Sequence, residues 1–295
     1  MSGRLHDLVA TELADPVDPR VAAMAAALAA SYPGAARAVL FYGSCLRERE
    51  LDGLMLDFYL IVSDYRAAYR SNWLAIANTL IPPNVFPFRH DGLIAKYAVL
   101  SEADFHRLNG WETLSVSVWA RFAQPSRLVW AADENARARA IDAVARAAPT
   151  LLAAAAPTQP AHQDPLDMWR AAFALTYGAE LRAERGEKGG SVVDAEPERY
   201  LRFAGPAMAA VPSTGTSDHD LATRGWGLRR LQGKVLTLVR LAKATTTFAG
   251  GVDYLAWKIN RHAGTEIVVR PWQRRWPILG ALTLLPRLWM RGAVR

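Results

Sequence analysis

The chain has 295 residues, 51% of them hydrophobic. That is enough apolar material for a sizeable core, and it excludes a generally disordered chain. The formal net charge of +7 favours an anionic partner such as a nucleotide, a nucleic acid or an acidic membrane surface, while the single Cys45 excludes an internal disulfide and a cysteine-built zinc site and fits a reducing cytosol.

Residues 1–19 contain acids and no apolar centre, unlike a secretory signal. No clean run of about 20 apolar residues occurs, so no transmembrane helix is expected. Any membrane contact is expected to be peripheral, at the cytoplasmic face.

In chain order, residues 5–12 read as a short helix closed by Asp15-Pro16, and 20–32 as an Ala-rich helix ended by Pro33-Gly34. An apolar run over 38–42 then enters Gly43-Ser44, a charged loop over 47–50 and a second apolar run that carries Asp57 in its middle. A helix is expected over 65–80, N-capped by Ser63 or Asp64 and stopped by Pro82-Pro83. Residues 84–90 and 93–101 read as a β-hairpin turning at Asp91-Gly92. Ser101 opens a helix as a cap. Residues 111–121 are expected to be helical, 127–130 a short strand and 133–152 one long helix.

The proline-rich stretch 153–164 is the best linker candidate. A helix over 165–183 follows, then a turn over 185–190 and a loop over 211–220. From Leu221 the chain becomes basic, with Lys234, Arg240 and Lys243 on one helix that ends at Gly250-Gly251. A basic-aromatic segment follows over 254–262. The architecture expected is α+β. A nucleotidyltransferase-type mixed sheet with flanking helices occupies 1–155, and a mainly helical part occupies 165–265. A basic amphipathic tail over 266–295 completes the chain.

The chemistry concentrates at the Gly43-Ser44 bend. Glycine lets a backbone approach a triphosphate closely, and a serine hydroxyl and N–H can bond its oxygens. A nucleotide-borne magnesium takes one or two carboxylates from a rigid element. Asp57 suits that role, because an acid inside an apolar strand costs several kcal/mol, on the order of the buried-charge penalty, unless paired or metal-bound. The layout resembles the DNA polymerase β-type nucleotidyltransferase signature, hydrophobic-Gly-Ser followed by a strand bearing paired acids. The second acid of that pair would stand at Tyr59. Asp52 is the nearest replacement, and Asp64 and Asp91 are further candidates unless they merely cap a helix and make a turn.

The tail carries Trp272, Trp276, Trp289, Arg274, Arg275, Arg287 and Arg291 around an apolar run over 278–285 bounded by Pro277 and Pro286. Arginines near an anionic surface contribute roughly 1 kcal/mol each, and tryptophans enter the headgroup boundary. The run is too short to span a bilayer. A helix docked on the protein's own core, or a nucleic-acid contact, are the other readings, and clustered Trp favours membrane over nucleic acid.

With these residues placed, the chain resembles the phosphatidate cytidylyltransferase family of the mitochondrial translocator-assembly-and-maintenance type. The resemblance rests on YGS at 42–44, LDFYLIVSD at 56–64, Trp73 and Asn78, AKYAVLS at 95–101, TYGAELRAE at 176–184 and GGVDYLAWKINRHAG at 250–264. Cys45 stands where the family has a second glycine, Ala98 replaces the glycine after Lys-Tyr, and no mitochondrial presequence is seen. The resemblance implies magnesium-dependent conversion of CTP and phosphatidic acid to CDP-diacylglycerol and pyrophosphate. It also singles out Glu180 and Arg182.

The resulting candidates are Asp57 and Lys96 as catalytic groups, Gly43, Ser44, Arg47 and Tyr97 for the nucleotide, and Asp57 with Asp52 for Mg2+. Arg49 stands beside the cradle as well. Lys96 would neutralise phosphate charge or lie along its strand as a solvated lysine; Tyr97 would stack on the base or fill the core. Lys258, Arg261, Trp272, Arg274, Arg275, Trp276 and Trp289 are candidates for the anionic membrane surface, and Lys234, Arg240 and Lys243 for phosphatidate or pyrophosphate. The six histidines show no metal-ligand spacing. A nucleotidyltransferase with a non-lipid acceptor, and a non-catalytic membrane-binding protein of the same fold, are the competing functions.

Overall fold

The computed structural model describes residues 3–46, 51–160, 164–179, 188–211, 219–247 and 269–272. The chain runs through α1 (Gly3–Leu13), α2 (Pro19–Ala30), β1 (Ala36–Tyr42), β2 (Met55–Val62), α3 (Tyr65–Ala68), α4 (Asn72–Leu80), β3 (Asn84–His90) and β4 (Leu93–Ser101). It continues through α5 (Glu102–Leu108), α6 (Trp119–Phe122), β5 (Ser126–Ala131), α7 (Glu134–Ala145) and α8 (Ala147–Ala155). Then come α9 (Pro165–Ala179), α10 (Lys188–Ala195), α11 (Pro197–Ala209) and α12 (His219–Thr247). The architecture is α+β, a five-stranded mixed sheet flanked by helices with a helical C-terminal part.

The sheet order is β3-β4-β2-β1-β5, with β2 and β4 parallel and the other pairs antiparallel. β2 reads as a nearly continuous apolar run because both faces of the sheet are covered. Its alternation sends Phe58, Leu60 and Val62 toward α2 and the buried Tyr65, Tyr69 and Ala75. Tyr59 and Ile61 point the other way, into a core shared with Leu5, Phe105, Trp119, Leu151, Trp169, Phe173, Tyr200 and Trp226. This second core runs from the first helix to α12, across the stretch expected to be a linker. There α8 reaches Ala155 and a tight turn continues to Thr158, because Leu151, Leu152 and Ala155 are fully buried.

The hairpin forms over the residues expected. Asp91 (φ 44) and Gly92 (φ 78) take the left-handed conformations that a two-residue turn needs. Asp64 caps α3 through the N–H groups of Arg66 and Ala67, and Ser101 caps α5 through Asp104 N–H.

Three helices differ from expectation. The helix over 65–80 is two helices, since Tyr69 has an extended backbone (φ −118, ψ 131) and buries its ring against Phe86. The helix over 133–152 breaks at Arg146, because Pro149 has no N–H for the Ala145 carbonyl and its ring crowds that position. Residues 111–118 are not helical. Thr113 Oγ1 accepts from Ser115 N–H and Ser115 bonds Ser117 through their hydroxyls, a local alternative to helical hydrogen bonding.

Candidate functional site

Register alone assembles the centre of the site. Tyr42 on β1 pairs with Asp57 on β2, and Asp57 pairs with Lys96 on β4. The row extends to Pro87 on β3 and Ser126 on β5. Side chains in one row across a sheet share a face, so Asp57 and Lys96 stand side by side, one residue from the Gly43 bend.

Gly43 has φ +95, and a Cβ there would lie 3.3 Å from Asp57 Oδ2. The bend therefore requires glycine twice, for its left-handed backbone and for its closeness to the carboxylate. Ser44 is exposed and opens a short 3-10 turn to Leu46, closed by Leu46 N–H donating to the Gly43 carbonyl at 3.2 Å. Cys45 is buried behind it.

Lys96 Nζ lies 3.1 Å from Asp57 Oδ1. This contact has the separation of an ion pair, yet Oδ1 is buried and accepts no hydrogen bond. A buried carboxylate oxygen needs a compensating charge or donor; the Lys96 ammonium supplies that charge here, and a cation or donor from a ligand would have to share or replace it. A carboxylate with Oδ1 against Lys96 and Oδ2 beside the Gly43 backbone, which a Cβ would crowd, fits a magnesium brought in on phosphates and held by a single protein carboxylate. Among the described residues no group of three or more His, Cys, Asp or Glu side chains is placed to hold a metal by itself.

Other candidates lie elsewhere. Asp52 is largely exposed and pairs with Arg20 of α2 at 3.1 Å. Its turn, relieved at Gly53 (φ 77), directs it there. Asp64 and Asp91 are the cap and turn residues already described. Tyr97 is not beside Lys96: the period of two sends it to the opposite face. There its hydroxyl is 2.9 Å from that of Tyr32, and its ring packs against Phe86 and Phe88. Burial pushes its phenol pKa well above the ordinary value. Tyr97 thus fills the core. Tyr59, at the position of the missing second acid, packs against Tyr42, Phe105 and Phe122 with ring centroids 5.2, 6.5 and 5.1 Å away.

On α12, Arg240 donates to the Pro82 carbonyl at 2.9 Å and to Ser117 Oγ at 3.0 Å, while Lys243 donates to the Ile81 carbonyl. Burial, with Arg240 nearby, lowers the Lys243 pKa to about 7. These two cations hold α12 to the α4–β3 connection. Lys234 is exposed, and Trp272 is exposed as well. Arg47, Arg49, Glu180, Arg182, Lys258, Arg261, Arg274, Arg275, Trp276 and Trp289 lie outside the described residues.

Sequence reasoning passed over one member of the row. Ser126 is fully buried and its hydroxyl has no hydrogen-bond partner. It lies far along the chain from the Gly-Ser bend, and only the β1–β5 pairing brings it beside Tyr42. Compared with known proteins, the chain matches no family model and no curated protein.

Proposed function

We propose that the chain transfers a cytidylyl group from CTP to phosphatidic acid at an anionic membrane surface. A phosphate oxygen of phosphatidate attacks the α-phosphorus of CTP, the bond from that phosphorus to the bridging oxygen breaks, and pyrophosphate leaves. The observation that carries the reading is the meeting of the Gly43 bend, the Asp57 carboxylate and Lys96 on one sheet face.

Each residue has a task set by its chemistry. The Gly43 backbone and Ser44 hydroxyl receive phosphate oxygens at a bend with no side chain in the way. Lys96 turns from Asp57 toward the phosphates and balances charge on the departing pyrophosphate. Asp57 would hold the magnesium, which supplies neutralisation of the triphosphate when bound. No strong general base is required, since the attacking phosphate oxygen is already a nucleophile. The basic, Trp-rich end of the chain fits a lipid acceptor.

A non-catalytic membrane-surface protein is the second reading, and one observation favours it. Tyr59 fills the core where a second carboxylate would stand, and Lys96 already offsets the charge of Asp57.

Incubation of the purified chain with CTP, magnesium and phosphatidic acid in mixed micelles separates the two. CDP-diacylglycerol should form, and Asp57→Ala should lower the rate by at least about a hundredfold. A folded protein that makes no product overturns the enzymatic reading, and turnover independent of lipid points to a different acceptor.

A further inference from the structure

Two of the acid-free stretches of this chain carry cations and outward apolar side chains together. One is 65–90, with Arg66, Arg70 and Arg89; the other is 221–247, with Arg224, Arg229, Arg230, Lys234, Arg240 and Lys243. Both also expose apolar side chains at helical spacing. On α4, Trp73, Ile76 and Leu80 are 48%, 59% and 74% exposed, while Ala75 and Asn78 point inward. On α12, Leu221, Leu228, Leu231, Val235 and Val239 are exposed, while Trp226 is buried and donates to the Ala154 carbonyl. These spacings of three, four and seven put each set on one outward stripe. A soluble surface helix normally shows the reverse, with its apolar stripe inward and its polar residues outward. Contiguous exposed apolar surface of this kind marks an interaction site.

The two acid-free segments are remote in sequence, and the structure joins them. Arg240 and Lys243 bond the carbonyls of Pro82 and Ile81, the residues that follow the end of the α4 stripe at Leu80. Exposed Arg70 adjoins the first turn of α4, and exposed Arg224, Arg230 and Lys234 flank the α12 stripe.

We propose that the outward faces of α4 and α12 together form a docking surface for an anionic lipid bilayer, distinct from the tail at 266–295. The apolar stripes enter the headgroup boundary and the flanking cations meet lipid phosphates. α4 carries no acid and α12 carries one, Asp220 in its first turn; the rest of both faces lacks the carboxylates that an anionic bilayer would repel. Exposed leucines, valines and a tryptophan in place of polar readers argue against a nucleic acid.

The inference deepens the membrane-surface part of the reading above, so binding is measured without nucleotide, where failure of docking and failure of catalysis are separable. The full chain is sedimented with phosphatidylcholine vesicles with and without phosphatidylglycerol. Binding should depend on the anionic lipid and weaken with salt. Leu231→Glu with Val235→Glu, and separately Ile76→Glu, should each reduce the bound fraction by about tenfold, as expected for inserting a charge into the buried face. Leu201→Glu, an exposed leucine on α11, should bind as wild type, and so should Asp57→Ala. Unchanged unfolding midpoints show that the variants remain folded, as substitutions at exposed sites should. Wild-type binding by the α4 and α12 variants overturns the proposal and leaves the tail as the contact. Equal binding to neutral and anionic vesicles overturns it too. So does a dimer that the variants convert to monomer with vesicle binding intact, because a second copy would then cover these faces.

Discussion

At the bend, one atom decides the geometry. Replacing Gly43 by alanine imposes a side chain on a backbone at φ +95 and places a Cβ 3.3 Å from Asp57 Oδ2. The expected loss is about 1–2 kcal/mol from the backbone alone, read as a lower urea midpoint at unchanged slope. An unaltered midpoint would show that the bend can relax. Gly43, Ser44 and Asp57 are legible in the sequence because each is out of place otherwise: a glycine ends an apolar run, and a carboxylate interrupts one. Lys96 is legible as a strand lysine, but its partner is not, since only the parallel register of β2 and β4 sets it against Asp57. Tyr97 shows the opposite limit. It neighbours Lys96 in sequence, yet the pleat assigns the two to different faces of the sheet, Lys96 beside Asp57 and Tyr97 against a wall of aromatic rings.

Turns and caps are written locally, and those elements follow the sequence closely. The β3–β4 hairpin has the expected ends because Asp91-Gly92 carries its own conformational preference. The two long helices that split do so for reasons of different reach. Pro149 is a local signal, whereas Tyr69 leaves the helix for a ring partner on β3. The docking of α12 brings a pH dependence. Lys243 has its folded pKa lowered to about 7 from the ordinary 10.5, chiefly by burial and then by Arg240. Between these values the unfolded chain binds more protons than the folded one, so stability rises with pH across that window. Urea midpoints should therefore increase from about pH 7 to about pH 9, and Lys243→Met should flatten the rise. Nearer pH 10 the buried phenols of Tyr65, Tyr69 and Tyr97, whose pKa values are raised by burial, oppose the trend. Their protons are lost first from the unfolded chain.

Across the molecule, the first helix and α11 are tied by one buried ion pair. Arg199 on α11 is 5% exposed and Glu12 on α1 is 11% exposed; Arg199 Nη2 donates to Glu12 Oε1 at 2.8 Å. Arg199 also donates to the Ala123 carbonyl at 3.1 Å and stacks over Tyr200 and Phe203. Removing one partner strands a buried charge, so Glu12→Gln should cost about 3–5 kcal/mol in chemical denaturation. Because one core includes both Leu5 and Trp226, fluorescence and circular dichroism should report the same transition in that variant. Two separated transitions would show that the helical part unfolds independently. Nothing along the chain announces this pair, since its members lie 187 residues apart.

The sequence by itself determined which residues can bend, cap and turn, that the run around Asp57 is apolar, and that its lone acid demands a partner. These properties arise from a residue and its near neighbours. Tertiary structure alone decided that Lys96 is that partner, that Ser126 joins the row, and that Tyr59 and Tyr97 belong to packing. It also tied α12 to the chain that follows α4, through Arg240 and Lys243. Those outcomes depend on strand register and on contacts between distant segments, which the chain acquires only when its apolar surfaces are buried against one another.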